Sequence, residues 1–265
     1  MAERLIEGAR RRALAGCIAC AAGIAAIAAL AFHVPALERL DEDVLNAIST
    51  TSESPVHDIA FAIEQLMDPP GWAAAATAAF LLASWQARYK RAFLALALIL
   101  GTALLDMILK AAFEHPRKQS IPIGEFEWFP VASAYPSGHA AGSLAIALAF
   151  LFVVPPSWQR VTAWVGLAFA LAISLGLLVL NYHYPGDILG GWLVALGWCF
   201  AVLGWTPTAK GATRRRKGED YFGAASAAPL SWASASTSMT VSRIVRSRSR
   251  RRSSRGLRMP RMAET

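Results

Sequence analysis

Long apolar runs separated by short polar junctions dominate the chain. Six of them approach or exceed the length of about 20 mainly apolar residues that a membrane-crossing helix needs. They cover residues 14–32, 71–85, 92–113, 138–154, 161–182 and 188–205. The second run begins beside a proline pair and the fourth ends beside one, which fits helix boundaries. The pattern predicts an all-α fold: an integral-membrane bundle of six helices within residues 14–209, preceded by a short N-terminal segment, residues 1–13.

The composition supports this prediction. Hydrophobic residues make up 55% of the 265 residues and charged residues only 17%, which is too apolar for an ordinary soluble domain. The first run follows Arg10-Arg11-Arg12 and lacks a clear small-residue cleavage site, so we expect a retained span rather than a signal peptide. Cys17 and Cys20 lie inside this run without a second ligand pair. They are better explained as small helix-face residues than as a metal or redox pair.

The net charge of +8 divides unevenly along the chain. Residues 210–265 hold 14 Lys and Arg against 3 Asp and Glu, whereas residues 1–209 hold 12 against 15. Low hydrophobicity and dense like charge predict that residues 210–265 form a disordered basic tail. We expect this tail to lie near anionic lipid headgroups and to have no specific nucleic-acid partner.

Loop charges predict the orientation, because Lys and Arg are enriched in cytoplasmic loops. One side of the six-helix topology receives basic residues at each junction, among them Arg88, Arg160 and residues 214–217. The other side receives residues 33–70, which carry eight acidic residues and one Arg. Both termini are then cytoplasmic, and we expect a cell membrane, such as a bacterial inner membrane. Apolar residues at helical spacing in residues 36–67 predict one or two amphipathic helices along the outer interface.

Three polar clusters fall at the outer ends of the predicted helices. The first begins at Lys110 and includes Arg117, which lies on the outer side against the charge rule. The second is Pro-Ser-Gly-His at residues 136–139, where the fourth helix begins, and the third contains His183 and Asp187. Three of the five histidines of the chain belong to these clusters. Scattered loop polarity would not place cations, histidines and a carboxylate at three successive outer ends.

This set of side chains suits phosphoryl transfer. Lys110 and Arg117 can neutralise phosphate oxygens, and the planar Arg fork matches their geometry. Ser137 is a plausible N-cap, and the backbone N–H groups beside flexible Gly138 make an anion cradle at a helix start. One histidine can attack phosphorus while another protonates the leaving oxygen. A carboxylate such as Asp187 can hold the attacking ring in one tautomer.

Each residue also has a simpler explanation. Asp187 could be only the N-cap of the sixth helix, His139 could be a satisfied residue at a helix start, and Lys110 could extend from a span end to water. The coincidence of three clusters favours the chemical interpretation. The sequence shows no set of metal ligands, so we expect no metal and no cofactor.

The first two clusters resemble motifs of the type 2 phosphatidic acid phosphatase superfamily, which includes vanadium haloperoxidases and bacterial acid phosphatases. The first motif of that family is Lys, six residues, then Arg-Pro. Here it appears as Lys110 to Arg117, followed by Lys118 instead of Pro. The second motif, Pro-Ser-Gly-His, is intact at residues 136–139.

The third motif of the family is matched in part. Its pattern is Ser-Arg, five residues, His, three residues, Asp. The chain keeps His183 and Asp187 but has Gly176 and Leu177 where Ser-Arg is expected. The resemblance covers about residues 70–205 and agrees with the six-helix arrangement. The missing Arg ordinarily binds phosphate, which Leu177 cannot do.

The resemblance implies a role for each matching residue. His183 would be the nucleophile that forms a phosphohistidine, Asp187 would hold it, and His139 would be the general acid. Phosphate would be bound by Lys110, Arg117, Ser137 and Gly138. The implied function is a membrane phosphatase that removes phosphate from an isoprenoid or glycerolipid phosphate or diphosphate at the outer face. Two alternatives remain: a non-catalytic phospholipid-binding descendant, suggested by Leu177, and a lipid-linked phosphotransferase.

Overall fold

Helices make up all the regular structure in the residues that the computed structural model describes, 2–113 and 133–205. Eight α-helices are present there, and a short 3₁₀ helix, Gln65–Met67, links the third to the fourth. In chain order they are α1 (Ala2–His33), α2 (Pro35–Ile48), α3 (Pro55–Glu64), α4 (Pro69–Trp85), α5 (Tyr89–Phe113), α6 (Gly138–Val153), α7 (Gln159–Val179) and α8 (Pro185–Trp205).

Each of the six predicted apolar runs is helical, as α1 and α4 to α8. Within the described residues, four helical segments are long and apolar enough to cross a membrane: Glu7–His33, Tyr89–Phe113, Gln159–Val179 and Pro185–Gly204. Helix α6 is apolar but has 16 residues, and α4 has 17. The all-helical fold is therefore confirmed for the described residues, while the count of six spans stays a prediction. The basic tail and the domain boundary at 209/210 lie outside the described residues.

Small side chains let the helices approach closely around α6, which packs against α5, α7 and α8. The buried positions of α6 are mostly Ala, Gly and Ser. A Cβ atom at Gly142 would overlap the indole ring of Trp72 on α4, so this contact needs glycine. Close packing of small residues is the usual means of joining helices in a membrane, where lipid is as apolar as the side chains.

Hydrogen bonds between distant segments fix which helix ends lie together. Nε of Arg10 donates to the backbone oxygen of Gly204 at 3.3 Å, so α1 begins where α8 ends. The backbone N–H of Thr50 donates to the oxygen of Val179 at 3.0 Å, which ties the α2–α3 connection to the end of α7. The segment 36–67, expected to form one or two helices, forms α2 and α3 on this second end.

Candidate active site

A buried histidine–carboxylate pair lies where α7 ends and α8 begins. Nδ1 of His183 is 3.3 Å from Oδ2 of Asp187, and the two residues are only 5% and 2% exposed. Burial lowers the pKa of His183, the bond and charge of Asp187 oppose this, and the positive charges of Lys110 and His139 add to the lowering. A neutral ring with Nδ1 facing a carboxylate leaves Nε2 as the nitrogen that can act as a base or nucleophile.

Asp187 also defines the start of α8. The apolar run predicted a sixth helix from Ile188, with Asp187 as its possible N-cap. Instead α8 begins at Pro185, because proline is tolerated at the first helical position, where no N–H is needed. Asp187 is thus the third helical residue, and its Oδ2 accepts the backbone N–H of Tyr184 at 3.0 Å, as a capping-box carboxylate does. One oxygen therefore holds both the helix start and the histidine.

The start of α6 lies directly beside this pair. Ser137 is the N-cap residue, and its Oγ accepts the N–H of Ala140 at 3.4 Å. The backbone N–H of Ser137 donates to the backbone oxygen of Asp187 at 3.0 Å. The first N–H groups of a helix have no partner within it and carry partial positive charge. The α6 N-terminus next to His183 can therefore serve as an anion cradle.

Lys110, at the end of α5, reaches the same cradle. Its Nζ is 3.1 Å from Oδ2 of Asp106, one turn earlier on α5, and both side chains are largely buried. A Cβ atom on Gly138 would lie 2.8 Å from Oδ2 of Asp106 and 3.0 Å from Nζ of Lys110. Glycine at this position therefore leaves the space over the helix start in which the two charged groups lie.

His139 contacts an acidic pair from the segment before α4. Its Nε2 is 3.1 Å from Oε1 of Glu64, but the ring N–H is not aligned for a hydrogen bond. Asp68 lies nearby, and burial, aided by the charge of Glu64, raises its pKa. The ligand atoms of Glu64, Asp68 and His139 lie within 4.8 Å of one another, so these residues could hold a divalent metal. The sequence did not indicate this group, because Glu64 and His139 are far apart in the chain.

Acidic residues of α2 border the site. The backbone N–H of Gly186 donates to Oδ2 of Asp41 at 3.3 Å. Burial and the negative charges of Glu42 and Asp187 are among the causes that raise the pKa of Tyr184 to about 12. The acidic segment that sequence assigned to the outer side thus lies at the same end of the protein as His183.

A buried tyrosine supports the segment that precedes α6. Tyr135 is fully buried, and its hydroxyl donates to the backbone oxygen of Ile24 at 2.7 Å. A Cβ atom at Gly190 would overlap the tyrosine ring, and one at Gly191 would overlap the backbone oxygen of Ser137. The adjacent glycines let α8 pack directly on the segment that carries the second motif, which brings that motif next to Asp187.

Leu177, which replaces the Arg of the third motif, faces the core. It is 1% exposed and belongs to an apolar cluster that also contains Leu45, Met67 and Ile173. No cation therefore comes from this position. Arg117, together with Glu114, His115 and Lys118, lies outside the described residues. The other six predicted site residues gather at one end of the bundle: Lys110, Ser137, Gly138, His139, His183 and Asp187.

Comparison with known proteins gives the family. Residues 91–210 match the PAP2 superfamily, and this range contains all three motifs. The matched part of the chain belongs to the PAP2 superfamily. Undecaprenyl-diphosphatase BcrC of Bacillus subtilis (strain 168) is 34% identical over 64 residues, which are 24% of this chain and 31% of that protein. The chain thus matches about a third of the length of this curated PAP2 relative.

The fold agrees with that of a PAP2 enzyme of known structure. A transmembrane PAP2 type phosphatidylglycerolphosphate phosphatase from Bacillus subtilis superposes with a TM-score of 0.58. The superposition covers 71% of this chain and 94% of that chain at 19% sequence identity, so it shows the shared fold alone. The long apolar helices and this shared transmembrane fold identify an integral membrane protein.

Proposed function

We propose that the protein is a membrane phosphatase that hydrolyses a lipid phosphate or diphosphate through a phosphohistidine on His183. The observation that carries the proposal is the buried contact of 3.3 Å between Nδ1 of His183 and Oδ2 of Asp187. It leaves Nε2 free beside the N-terminus of α6 and a lysine, which is the arrangement that a phosphate under nucleophilic attack requires.

The reaction proceeds in two steps. Nε2 of His183 attacks phosphorus, the bond from phosphorus to the lipid oxygen breaks, and protonated His139 donates its proton to the leaving oxygen. Asp187 stabilises the positive charge of the substituted ring. Neutral His139 then takes a proton from water, whose oxygen attacks phosphorus and releases inorganic phosphate and free His183. Lys110, Arg117, Ser137 and Gly138 bind the phosphoryl oxygens in both steps.

Position in the membrane favours a lipid substrate. The cradle lies at the ends of apolar helices, where the phosphate of a lipid headgroup is found and the tail can remain among hydrocarbon chains. The two relatives are named for an isoprenoid diphosphate and for a phosphorylated phosphatidylglycerol. These two substrate classes, isoprenoid and glycerolipid, are the ones we propose for this protein.

Phosphate release by the purified protein in detergent tests the proposal. The substrates are isoprenoid and glycerolipid phosphates and diphosphates. We expect turnover of at least one of them, loss of turnover in His183→Ala, and near-normal turnover in His57→Ala, a matched change on α3 away from the pair. If no substrate is turned over while lipid binding is retained, the non-catalytic alternative suggested by Leu177 is favoured instead.

We also propose that the site opens on the extracytoplasmic face, with both termini cytoplasmic. Support comes from the loop charges and from the packing of the acidic α2–α3 segment at the site end. Two exposed serines are suitable for replacement by cysteine, which is a conservative change. Ser52 lies at the site end, and Ser157 lies between α6 and α7. In a variant without the three native cysteines, Ser52→Cys should react with an impermeant thiol reagent in intact cells and Ser157→Cys should not. The reverse pattern would refute the orientation.

A further inference from the structure

A second carboxylate lies in the proposed phosphate cradle. Asp106 is 6% exposed, and its Oδ2 is 3.1 Å from Nζ of Lys110. The space over Gly138 is shared by both groups, since a Cβ atom there would lie 2.8 Å from Oδ2 of Asp106 and 3.0 Å from Nζ of Lys110. A phosphate bound at the start of α6 must therefore lie next to Asp106. The reaction proposed above leaves this residue without a role.

One oxygen of Asp106 is without a partner. Oδ1 is fully buried and accepts no hydrogen bond from a described residue, whereas Oδ2 faces Lys110. An unsatisfied buried carboxylate oxygen is costly, because the loss of its hydration is not offset by a hydrogen bond. Such a cost is expected where a ligand supplies the missing donor. Among the buried side-chain atoms of the described residues that have no hydrogen-bond partner, Oδ1 of Asp106 is the carboxylate oxygen.

The charges around the cradle define what that ligand must carry. The described charged or titratable groups that act on Asp106 are Lys110 on α5, His139 on α6 and His183 before α8. Lys110 is already paired with Asp106, so the carboxylate offsets part of the positive charge that the ammonium group offers to an anion. A fully ionised phosphoryl group beside Asp106 would meet like charge at close range. A phosphoryl group with one P–OH would instead donate a hydrogen bond to the carboxylate, and O–H···O⁻ bonds of this kind are short and strong.

We propose that Asp106 is a specificity-determining residue whose free oxygen accepts a hydrogen bond from a protonated phosphoryl oxygen. The site then takes phosphate groups that carry a proton and rejects oxyanions that have none. The inference rests on the phosphate site of the proposed function and specifies which ionic form of the phosphate group that site binds. It also accounts for an acidic residue in a site from which the third-motif cation is missing.

Inorganic phosphate and sulfate are suitable probes, because they have the same shape and near neutral pH only phosphate keeps a proton. Isothermal titration calorimetry of the purified protein in detergent gives the dissociation constant of each. We expect the wild-type protein to bind phosphate about tenfold or more tightly than sulfate. In Asp106→Asn the amide can donate to either oxyanion, so the two dissociation constants should agree within about threefold.

The control is Thr102→Val, an isosteric change at a buried position one turn before Asp106 on α5. It should keep the wild-type preference, and size-exclusion profiles should show all three proteins folded. An unchanged preference in folded Asp106→Asn would overturn the role of Asp106, and so would equal binding of the two anions by the wild type. Calorimetry needs no turnover, so a protein that discriminates through Asp106 but hydrolyses no lipid would refute the phosphatase proposal alone.

Discussion

The substitution Asp187→Asn tests the histidine–carboxylate pair with the least change of shape. The carboxylate is 2% exposed, and its Oδ2 accepts from Nδ1 of His183 at 3.3 Å and from the N–H of Tyr184 at 3.0 Å. An Asn carbonyl can keep the bond to Tyr184 and so the start of α8. The variant loses the negative charge that stabilises a positively charged, phosphorylated ring.

The loss can be estimated from the geometry. A buried hydrogen bond to a charged group contributes about 1.5–3 kcal/mol, and replacing the carboxylate of a catalytic triad by Asn costs about 10⁴ in kcat in the serine-protease example. For the contact of His183 with Asp187 we expect a loss of about 3–5 kcal/mol of transition-state stabilisation. This corresponds to a fall of about 10²- to 10⁴-fold in kcat.

Steady-state phosphate release from the best lipid substrate measures the effect. Asp41→Asn is the matched control, because Oδ2 of Asp41 accepts the N–H of Gly186 in the same first turn of α8 but has no bond to His183. We expect the control to stay within about threefold of the wild type. Turnover of Asp187→Asn within the same threefold range, in a protein with an unchanged melting temperature, would refute the proposed role of Asp187.

Three further predictions follow from the site. Turnover should persist in EDTA, because Lys110 and Arg117 supply the positive charge that neutralises the phosphate. If turnover is lost in EDTA and restored by a divalent metal, the Glu64–Asp68–His139 group would instead hold a catalytic metal. The acid limb of the pH profile of kcat/KM should have its midpoint below pH 6.5, the ordinary pKa of histidine. Burial lowers the pKa of His183, and attack needs the neutral ring. A midpoint at or above pH 6.5 would contradict this prediction. Gly138→Ala should lower kcat/KM about tenfold or more, because the new Cβ enters the cradle and meets the buried carboxylate of Asp106 and the ammonium group of Lys110. Unchanged kinetics would show that phosphate binds elsewhere.

Local features of the sequence predicted much of the fold. The apolar runs became helices, and Ser137 caps α6 as its position before Gly138 suggested. The predicted helix boundaries were less accurate where a helix begins with polar residues. Helix α8 starts at Pro185 rather than Ile188, because proline at the first helical position leaves no N–H unsatisfied. The apolar pattern did not predict this first turn, because the turn contains polar residues.

Contacts between distant segments were beyond the reach of sequence patterns. The approach of Glu64 to His139 depends on how α3 packs on α7 and α7 on α6. The approach of Asp106 to Gly138 depends on how α5 packs on α6. Side-chain packing between helices sets these distances, and the hydrophobic periodicity of the sequence does not predict that packing. The sequence could assemble the three motifs at one end, but it could not show that Leu177 faces the core or that a carboxylate lies in the cradle.

Trapping the covalent intermediate tests the central claim most directly. The purified protein would be mixed with a lipid phosphate labelled at phosphorus, quenched in alkali, in which phosphohistidine survives, and digested for mass spectrometry. The account predicts a phosphoryl group on His183 of the wild-type protein and none at that position in His183→Ala. Release of inorganic phosphate with no label on His183, or with the label on another residue, would contradict the account.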